Sequence, residues 1–596
     1  MKFSYVLKRS TSIVFSTLLL ISFNFFTACK CQTDKAETIE KIIAAPKDDA
    51  EFQSKMTTVL EDYVMHLSSI KTDSIKFMNW QEVAKEAYSK NTYHPIWVSK
   101  EVLSQKGKEM LHVVGTTEFL GLNKELYEYE DLQQIADSLT KIQPNIDFNL
   151  LKQLEVGLTR SFLQIALHVD HGMFADTSKG INTNFWAAKD KYIQLLGKAS
   201  TDSVSNLIAS LEPNNPMYNR YMRALKAFVA KNNISATPIT IRNPKLDSIG
   251  AVNDARKALV YHHYLLDSLK NNDEAYLAAM KQFQIDNNLK GDGNIGANTI
   301  KALERDNSKK FQLLAINADR WRKEHIIELP EKYVWVNLPS YKLKIIEDDT
   351  LRLEKNVVIG KSNNKNETPI LESAINQIVL WPTWSVPQSI IKHEMKSFKG
   401  YTVTRNGSYT SVVQPPGPRN ALGCVKILFP NKHSVYIHDT PTKSLFGADL
   451  RAASHGCVRC QDPLEVAANV MMMDTFLITY DSLKVLKERK VATRVFRLKK
   501  PVPVYFRYFT AEADFDGNLK FYADVYGRDK QMINFIFKGK KPHILTKEEI
   551  REKQVADSIA IVKKKKADSI LVATKIKEVI KIDSLNTRAI NDSLKN

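Results

Sequence analysis

Val435-Tyr436-Ile437-His438-Asp439 and, further along, Ser454-His455-Gly456-Cys457-Val458-Arg459-Cys460 are the stretches on which the fold turns. In the first, apolar Val435 and Ile437 alternate with Tyr436 and His438, the period-two pattern of a half-buried strand. The second runs into Asp462-Pro463-Leu464-Glu465, a helix start. Asp462 is placed to cap it, proline suits its first position, and Glu465 completes a capping box. Leu464, Ala467, Ala468 and Met471 then form its buried face. The same alternation begins soon after residue 330: Tyr341, Leu343 and Ile345 alternate with Lys342 and Lys344. Glu347-Asp348-Asp349-Thr350 turns the chain, and Val357 and Ile359 continue a second strand. This region is β-rich.

Three chemistries fit these residue types. Zinc would use Cys457-x-x-Cys460 with His438 or His455, but a structural zinc site usually has a second clustered pair. A thioredoxin-like redox pair needs a βαβ setting, and alternating helices are missing upstream. A cysteine nucleophile needs a base or a positive environment, because a thiol of pKa about 8.5 is mostly protonated at neutral pH. His438 at a strand end supplies the base, and Gly456 lets substrate approach while leaving amide N–H groups for an oxyanion. Arg459 would bind a carboxylate. Ser362-x-x-Lys365 and Ser389-x-x-Lys392 mimic a serine acyl-enzyme motif, but no Lys-Thr-Gly follows, so both read as chance.

Upstream the period is helical. Leu151, Leu154, Leu158, Phe162 and Ile165 form one apolar face. Tyr93-His94-Pro95-Ile96-Trp97 reads as core packing. Tyr276, Met280 and Phe283 share a helical face before the turn-rich 287–296 stretch. A calcium loop starting at Asp286 would put Lys290 and Ala297 where acids are needed, so calcium is rejected. From about 545 the chain is charged and helical, with Ala556-Asp557-Ser558-Ile559 echoed at Ala567-Asp568-Ser569-Ile570. It reads as a solvated tail.

The chain has 596 residues, 43% hydrophobic and 25% charged, which is ordinary multidomain globular usage. Its net charge of +19 suits an anionic partner: nucleic acid, a membrane surface or a wall polymer. Lys2, Lys8 and Arg9 precede the apolar run Ile13–Phe26 and the small residues before Cys29, the layout of an export signal. Cys29 is placed as a lipidated residue, and export removes nucleic acid from the partners. Of the five cysteines, Cys29 and Cys31 fall in that region, which leaves Cys424, Cys457 and Cys460. This is no disulfide scaffold.

Ser454-His455-Gly456-Cys457-Val458-Arg459, with His438 upstream, resembles the catalytic signature of L,D-transpeptidases of the YkuD type. Val336-Asn337-Leu338-Pro339, Gly360 with Thr368-Pro369, Trp381-Pro382-Thr383-Trp384-Ser385-Val386-Pro387 and Asn420-Ala421-Leu422-Gly423 resemble its large periplasmic branch. Phe283-Gln284, Asp292-Gly293, Ile295-Gly296 and Thr299 are similar to a peptidoglycan-binding module, and Pro95-x-Trp97 to a helical scaffold. The resemblance implies an α+β multidomain chain. Its expected parts are a signal or lipoprotein segment at 1–29, a tether at 30–50, a helical scaffold at 51–245 and a small three-helix module at 246–310. A β-rich catalytic domain at 330–485 follows, then an extension at 486–540 packing on it and a charged tail at 541–596.

It further implies Cys457 as nucleophile and His438 as base, with Ser454, His455, Gly456 and Arg459 supporting oxyanion and substrate. No cofactor and no metal are expected. Donor and acceptor would be peptidoglycan stem peptides joined by 3→3 links, with glycan strands held by 246–310 and the membrane by the N-terminal lipid or anchor. The chain would then be an exported envelope protein. L,D-carboxypeptidase action, protein-to-wall anchoring and a non-catalytic wall-binding lipoprotein are the alternatives. Cys460 stands where that family usually carries an aliphatic residue. On an extended segment Cys457 and Arg459 share a face while Val458 and Cys460 point away, so Cys460 is expected to be buried and unreactive.

Overall fold

A computed structural model describes residues 45–65, 80–173, 188–324, 328–363, 365–407, 409–474, 478–489 and 491–538. The expected signal segment, most of the tether and the charged tail lie outside the described residues. Among those described, no helix is long and apolar enough to cross a membrane. The first helix, Asp49–Met65, begins just inside the stretch expected as tether.

The helical half is organised around Phe148–His171, capped by Asp147, whose carboxylate accepts from the Asn149 and Leu150 N–H groups. Leu151, Leu154, Leu158, Phe162 and Ile165 are all buried on it. Its one fully buried acid, Glu155, accepts the backbone N–H groups of Ile96, Trp97 and Val98 at 2.7, 2.9 and 2.9 Å, and the Tyr88 hydroxyl at 2.5 Å. Three amides converging on one carboxylate satisfy a charge that burial alone would penalise. The Pro95-x-Trp97 turn is thus a core element of the scaffold, with Trp97 entirely buried.

Three helices, Ser248–Tyr261, Asp273–Asp286 and Ala297–Leu303, form the small module around Ala255, Leu259, Met280, Phe283 and Leu303. Its core also takes in Ile241, upstream of the expected edge at 246. The side chain of Gln284, buried to 1%, closes the turn: its amide donates to Asn294 O at 2.8 Å while its oxygen accepts from Gly293 N at 2.7 Å. The loop rests on the catalytic half through Asn288 Nδ2 to Ser340 O at 3.0 Å and Lys290 N to Asp449 Oδ1 at 2.7 Å.

Nine strands build the catalytic sheet: β1 Lys332–Asn337, β2 Lys342–Glu347, β3 Thr350–Gly360, β4 Leu371–Leu380, β5 Val425–Leu428, β6 Ile437–His438, β7 Ala452–Ser454, β8 Val458–Cys460 and β9 Arg494–Arg507. Their spatial order is β7-β3-β8-β6-β5-β4-β9-β1-β2. Since β2 also pairs with β3, the sheet closes on itself and encloses Val334, Val357, Ile375, Ile427, Val458 and Phe506. The helix Pro463–Met473 packs Val466, Ala467 and Val470 onto that core.

Two expectations need correcting here. The 486–540 segment is not an extension laid on the domain. Its first part, β9, lies inside the sheet between β4 and β1, with Val502, Val504 and Phe506 pointing into the core. Prolines argue against a central strand; Pro501 falls in the register shift between Arg497 and Val502, while Pro503 stays in register opposite Ala374. Its last part, the helix Asp529–Phe537, buries Met532 and Ile536 in the scaffold core.

Asp462 does begin the Pro463 helix, but it makes no side-chain cap. Its φ of 44° is left-handed, and the carboxylate lies 3.8 Å from Lys355 Nζ. Glu465 likewise pairs with Lys355, at 2.5 Å, instead of closing a capping box. The sheet's cation outcompetes the helix N-terminus for both acids.

The helix Asn307–Lys323 joins the two halves. Ile316 faces the scaffold core, while Trp321 stacks on Phe509 at 4.4 Å and on Trp335 at 5.6 Å between centroids. Arg320 pairs with Asp529 at 2.7 Å, so both halves grip the same helix. Removing the stacked indole leaves a large cavity. Trp321→Ala is expected to lower stability by about 3–5 kcal/mol, read as a drop in the urea midpoint of the full chain; an unchanged midpoint would refute the joining role.

Candidate active site

The site is assembled by the shortest strands of the sheet. β6 and β8 run parallel, with Ile437 opposite Val458 and His438 opposite Arg459, and Val458 N donates to Tyr436 O at 3.0 Å. One step earlier, Cys457 faces Tyr436. Ladder partners project to one side, so Tyr436, His438, Cys457 and Arg459 share a face, with His438 diagonal to the thiol. The opposite face carries Val458 and Cys460, both wholly buried. Zinc and redox readings that join Cys457 to Cys460 therefore lose their pair. Among the described residues no group of three or more His, Cys, Asp or Glu stands close enough to hold a metal ion.

His438 is 5% exposed, and its Nδ1 lies 2.5 Å from the Asp439 carbonyl. A carbonyl only accepts, so Nδ1 carries the proton and Nε2 is left free as a base. Burial, helped by the charge on Arg459, pushes the imidazole down to about 3, so it is neutral at physiological pH. Burial pushes the Cys457 thiol up, although Tyr436, Lys426 and Arg459 all oppose that shift. The resting pair is thus thiol and neutral imidazole. Asp439 braces this strand end, its carboxylate accepting Cys424 N at 2.9 Å and Thr440 N at 2.7 Å and pairing with Lys443. Gly423 sits so close to that carboxylate that a Cβ there would meet Asp439 Cγ at 2.3 Å.

The Ser454–Cys457 loop holds its shape through its own atoms. Ser454, 2% exposed, donates from Oγ to the Cys457 carbonyl at 2.5 Å and accepts from Gly456 N at 3.2 Å. Gly456 adopts φ 113°, a conformation reserved for glycine. Its carbonyl accepts Thr368 Oγ1 at 2.8 Å, which accounts for the Gly360…Thr368 motif, because Thr368 Oγ1 also accepts Gly360 N at 2.9 Å. Of the amide N–H groups expected to face an oxyanion here, that of Gly456 is taken by Ser454. Ser454 is a brace inside the loop. His455 is exposed and turns outward, its Nε2 2.7 Å from Glu394 Oε1.

Glu394 belongs to a flap inserted between β4 and β5. It contains a three-stranded sheet of Trp384–Ser385, Tyr409–Gln414 and Thr402–Asn406 and the helix Gln388–His393, which buries no residue. Asn420 pins its base: Nδ2 donates to Pro382 O at 3.1 Å and Pro415 O at 2.9 Å. The Asn420-Ala421-Leu422-Gly423 and Trp381–Pro387 motifs are the two feet of this flap. Trp384 hydrogen-bonds the Tyr436 hydroxyl, which in turn donates toward Cys457. Tyr436 went unassigned in the sequence. Its signal was there, two residues before His438 on the same strand face.

Residues 331–495 match the family described as the L,D-transpeptidase catalytic domain (YkuD), and residues 82–225 match the family described as a scaffold domain. The chain therefore carries an L,D-transpeptidase catalytic domain joined to a helical scaffold, in an α+β multidomain fold. A curated Haemophilus influenzae protein named "Putative L,D-transpeptidase" is 30% identical over 275 residues, 41% of this chain and 54% of that protein. The chain thus spans about half the length of this relative. Among solved structures, an L,D-transpeptidase from Stackebrandtia nassauensis is 17% identical, covering 46% of this chain and 97% of that one, at a TM-score of 0.18. The catalytic domain of an E. faecium L,D-transpeptidase acylated by ertapenem is also 17% identical, covering 30% and 98%, at a TM-score of 0.16.

Two outcomes follow from this geometry. Iodoacetamide alkylation of Cys457 should rise with pH around a midpoint above the ordinary ~8.5 of a free thiol, because burial raises the pKa; a midpoint below it would mean a preformed thiolate. Cys460→Val should keep activity, and the enzyme should need no reductant. Activity that appears only with reductant, and that Cys460→Val frees from it, would mean the two thiols meet after all.

Proposed function

We propose that this protein is an exported, lipid-anchored L,D-transpeptidase that forms 3→3 cross-links between peptidoglycan stems through a Cys457 acyl-enzyme. The observation that carries this is the parallel β6–β8 pairing, which sets a neutral His438, its Nε2 free, on the same face as Cys457. Cys457 Sγ attacks the carbonyl joining the third stem residue to its terminal D-alanine, and its proton passes to His438 Nε2. The developing oxyanion faces Cys457 N–H. His438 returns the proton to the leaving nitrogen, the C–N bond breaks, and D-alanine departs. A side-chain amine of a second stem then attacks the thioester, gives its proton to His438, and regenerates the thiol.

The module at 246–310 would hold glycan strands, and Cys29 would carry the lipid. The net charge of +19 favours an anionic wall. The module's contacts with Ser340 and Asp449 support this reading, because they set it against the chain that leads into β7.

Incubation with a carbapenem should give one covalent adduct by intact-protein mass spectrometry, absent in Cys457→Ala. An adduct that persists in that variant refutes the nucleophile. His438→Ala should slow acylation by about 10²–10⁴-fold, the usual worth of general-base assistance. Muropeptides from cells carrying wild type should contain 3→3 dimers that Cys457→Ala lacks; trimmed monomers alone would make the enzyme a carboxypeptidase.

A further inference from the structure

Lys426, His438 and Arg459 form one row across three neighbouring strands. Lys426 is the register partner of His438 between β5 and β6, and His438 is the partner of Arg459 between β6 and β8. Two cations therefore flank the imidazole on the face that carries Cys457. The Lys426 ammonium lies 4.0 Å from the centroid of the Tyr436 ring, the ring whose hydroxyl reaches Cys457. That contact orients the ammonium but replaces only part of its lost hydration.

Among the described residues Lys426 and Arg459 make no ion pair, both are only part-exposed, and Arg459 Nε is buried with no hydrogen-bond partner. Other shielded cations of the fold do have an acid: Arg320 pairs with Asp529 at 2.7 Å, Arg220 with Asp349 at 2.6 Å and Arg507 with Glu372 at 3.0 Å. A desolvated charge without a counter-charge is costly to a fold. Burial pushes both groups down from their ordinary values, so folding strains these charges rather than using them. Two such cations within reach of one nucleophile are suited to an anion that arrives with the substrate.

We propose that Lys426 joins Arg459 in binding the free α-carboxylate of the residue that leaves when Cys457 is acylated, and so sets the preference for a donor that ends in a free acid. The spacing fits. Residues two apart on a strand are separated by about 6.6 Å. One residue of leaving group sets its carboxylate about 3.6 Å from the attacked carbonyl, within the sweep of both side chains. A stem longer by one residue, or ending in a carboxamide, presents a neutral amide to the pair and leaves it unpaired. Binding involves no covalent step: the carboxylate enters and departs with the released amino acid.

The inference rests on the transpeptidase reading, and its test separates the two. Release of the terminal residue is measured from two synthetic stem tetrapeptides, one ending in a free acid and one in a carboxamide. The enzymes compared are wild type, Lys426→Met, Lys426→Gln and Lys426→Arg, all as full chains with matched circular dichroism. Wild type should prefer the acid donor in kcat/KM by roughly 10–100-fold, the worth of a hydrogen bond to a charged group. Lys426→Met and Lys426→Gln should each cut that preference about tenfold or more, and Lys426→Arg should retain it. Should either neutral variant fold poorly, the other carries the comparison. Full acid preference in a neutral variant overturns the inference alone. An equal loss on both donors also overturns it, because Lys426 would then act on the thiol, which a shifted iodoacetamide profile would register. A wild type inert towards both donors overturns the transpeptidase reading and this inference with it.

Discussion

The parallel pairing of β6 with β8 is the constraint on which the site depends. Two residues of one strand and three of the other bring His438 opposite Arg459 and set Tyr436 against Cys457. Strands this short have little hydrogen bonding of their own, so their position is imposed from both sides. β5 holds β6 through Lys426 and Ile427, and β3 holds β8 through Val357 and Val358. Below them the closed core fills with Ile437, Val458 and Cys460, none of which touches solvent. A parallel pair also needs a long connection. The chain between His438 and Val458 serves that purpose, and it includes the loop that presents Cys457.

That arrangement explains why the resting thiol and imidazole are both neutral. The same burial that seats His438 against the Asp439 carbonyl denies it a proton, and it raises the thiol as well. The cations beside them oppose the second effect and reinforce the first. The flap and the module each contact the chain that leads to Cys457. One is linked to the Ser454–Cys457 loop through Glu394 and His455, the other to the chain before β7 through Lys290 and Asp449.

The motifs beyond the catalytic signature turn out to be mostly structural. Thr368 ties the Gly456 carbonyl, Asn420 closes the flap, Gln284 closes the module's turn, and Glu155 gathers the amides around Trp97. Asp462 was misread because a cap is a local competition, and Lys355, distant in sequence, wins it. β9 was misread for the opposite reason. Its prolines are a local signal against a central strand, while the burial of Val502, Val504 and Phe506 in a closed sheet is a collective one.

The sequence by itself determined which faces its residues take. Period two places Cys457 and Arg459 on one side with Cys460 on the other, and period 3.6 marks the buried stripe of Phe148–His171. Those are properties of neighbours along the chain, where backbone geometry fixes direction. Which strands become neighbours was decided only by tertiary structure. Lys426 and Tyr436 carry no motif of their own, and they gain meaning because closing the sheet buries them beside Cys457. Hydrogen-bond registers across a sheet follow from filling one shared core, and that core is a sum over residues far apart in the chain. No local pattern contains it.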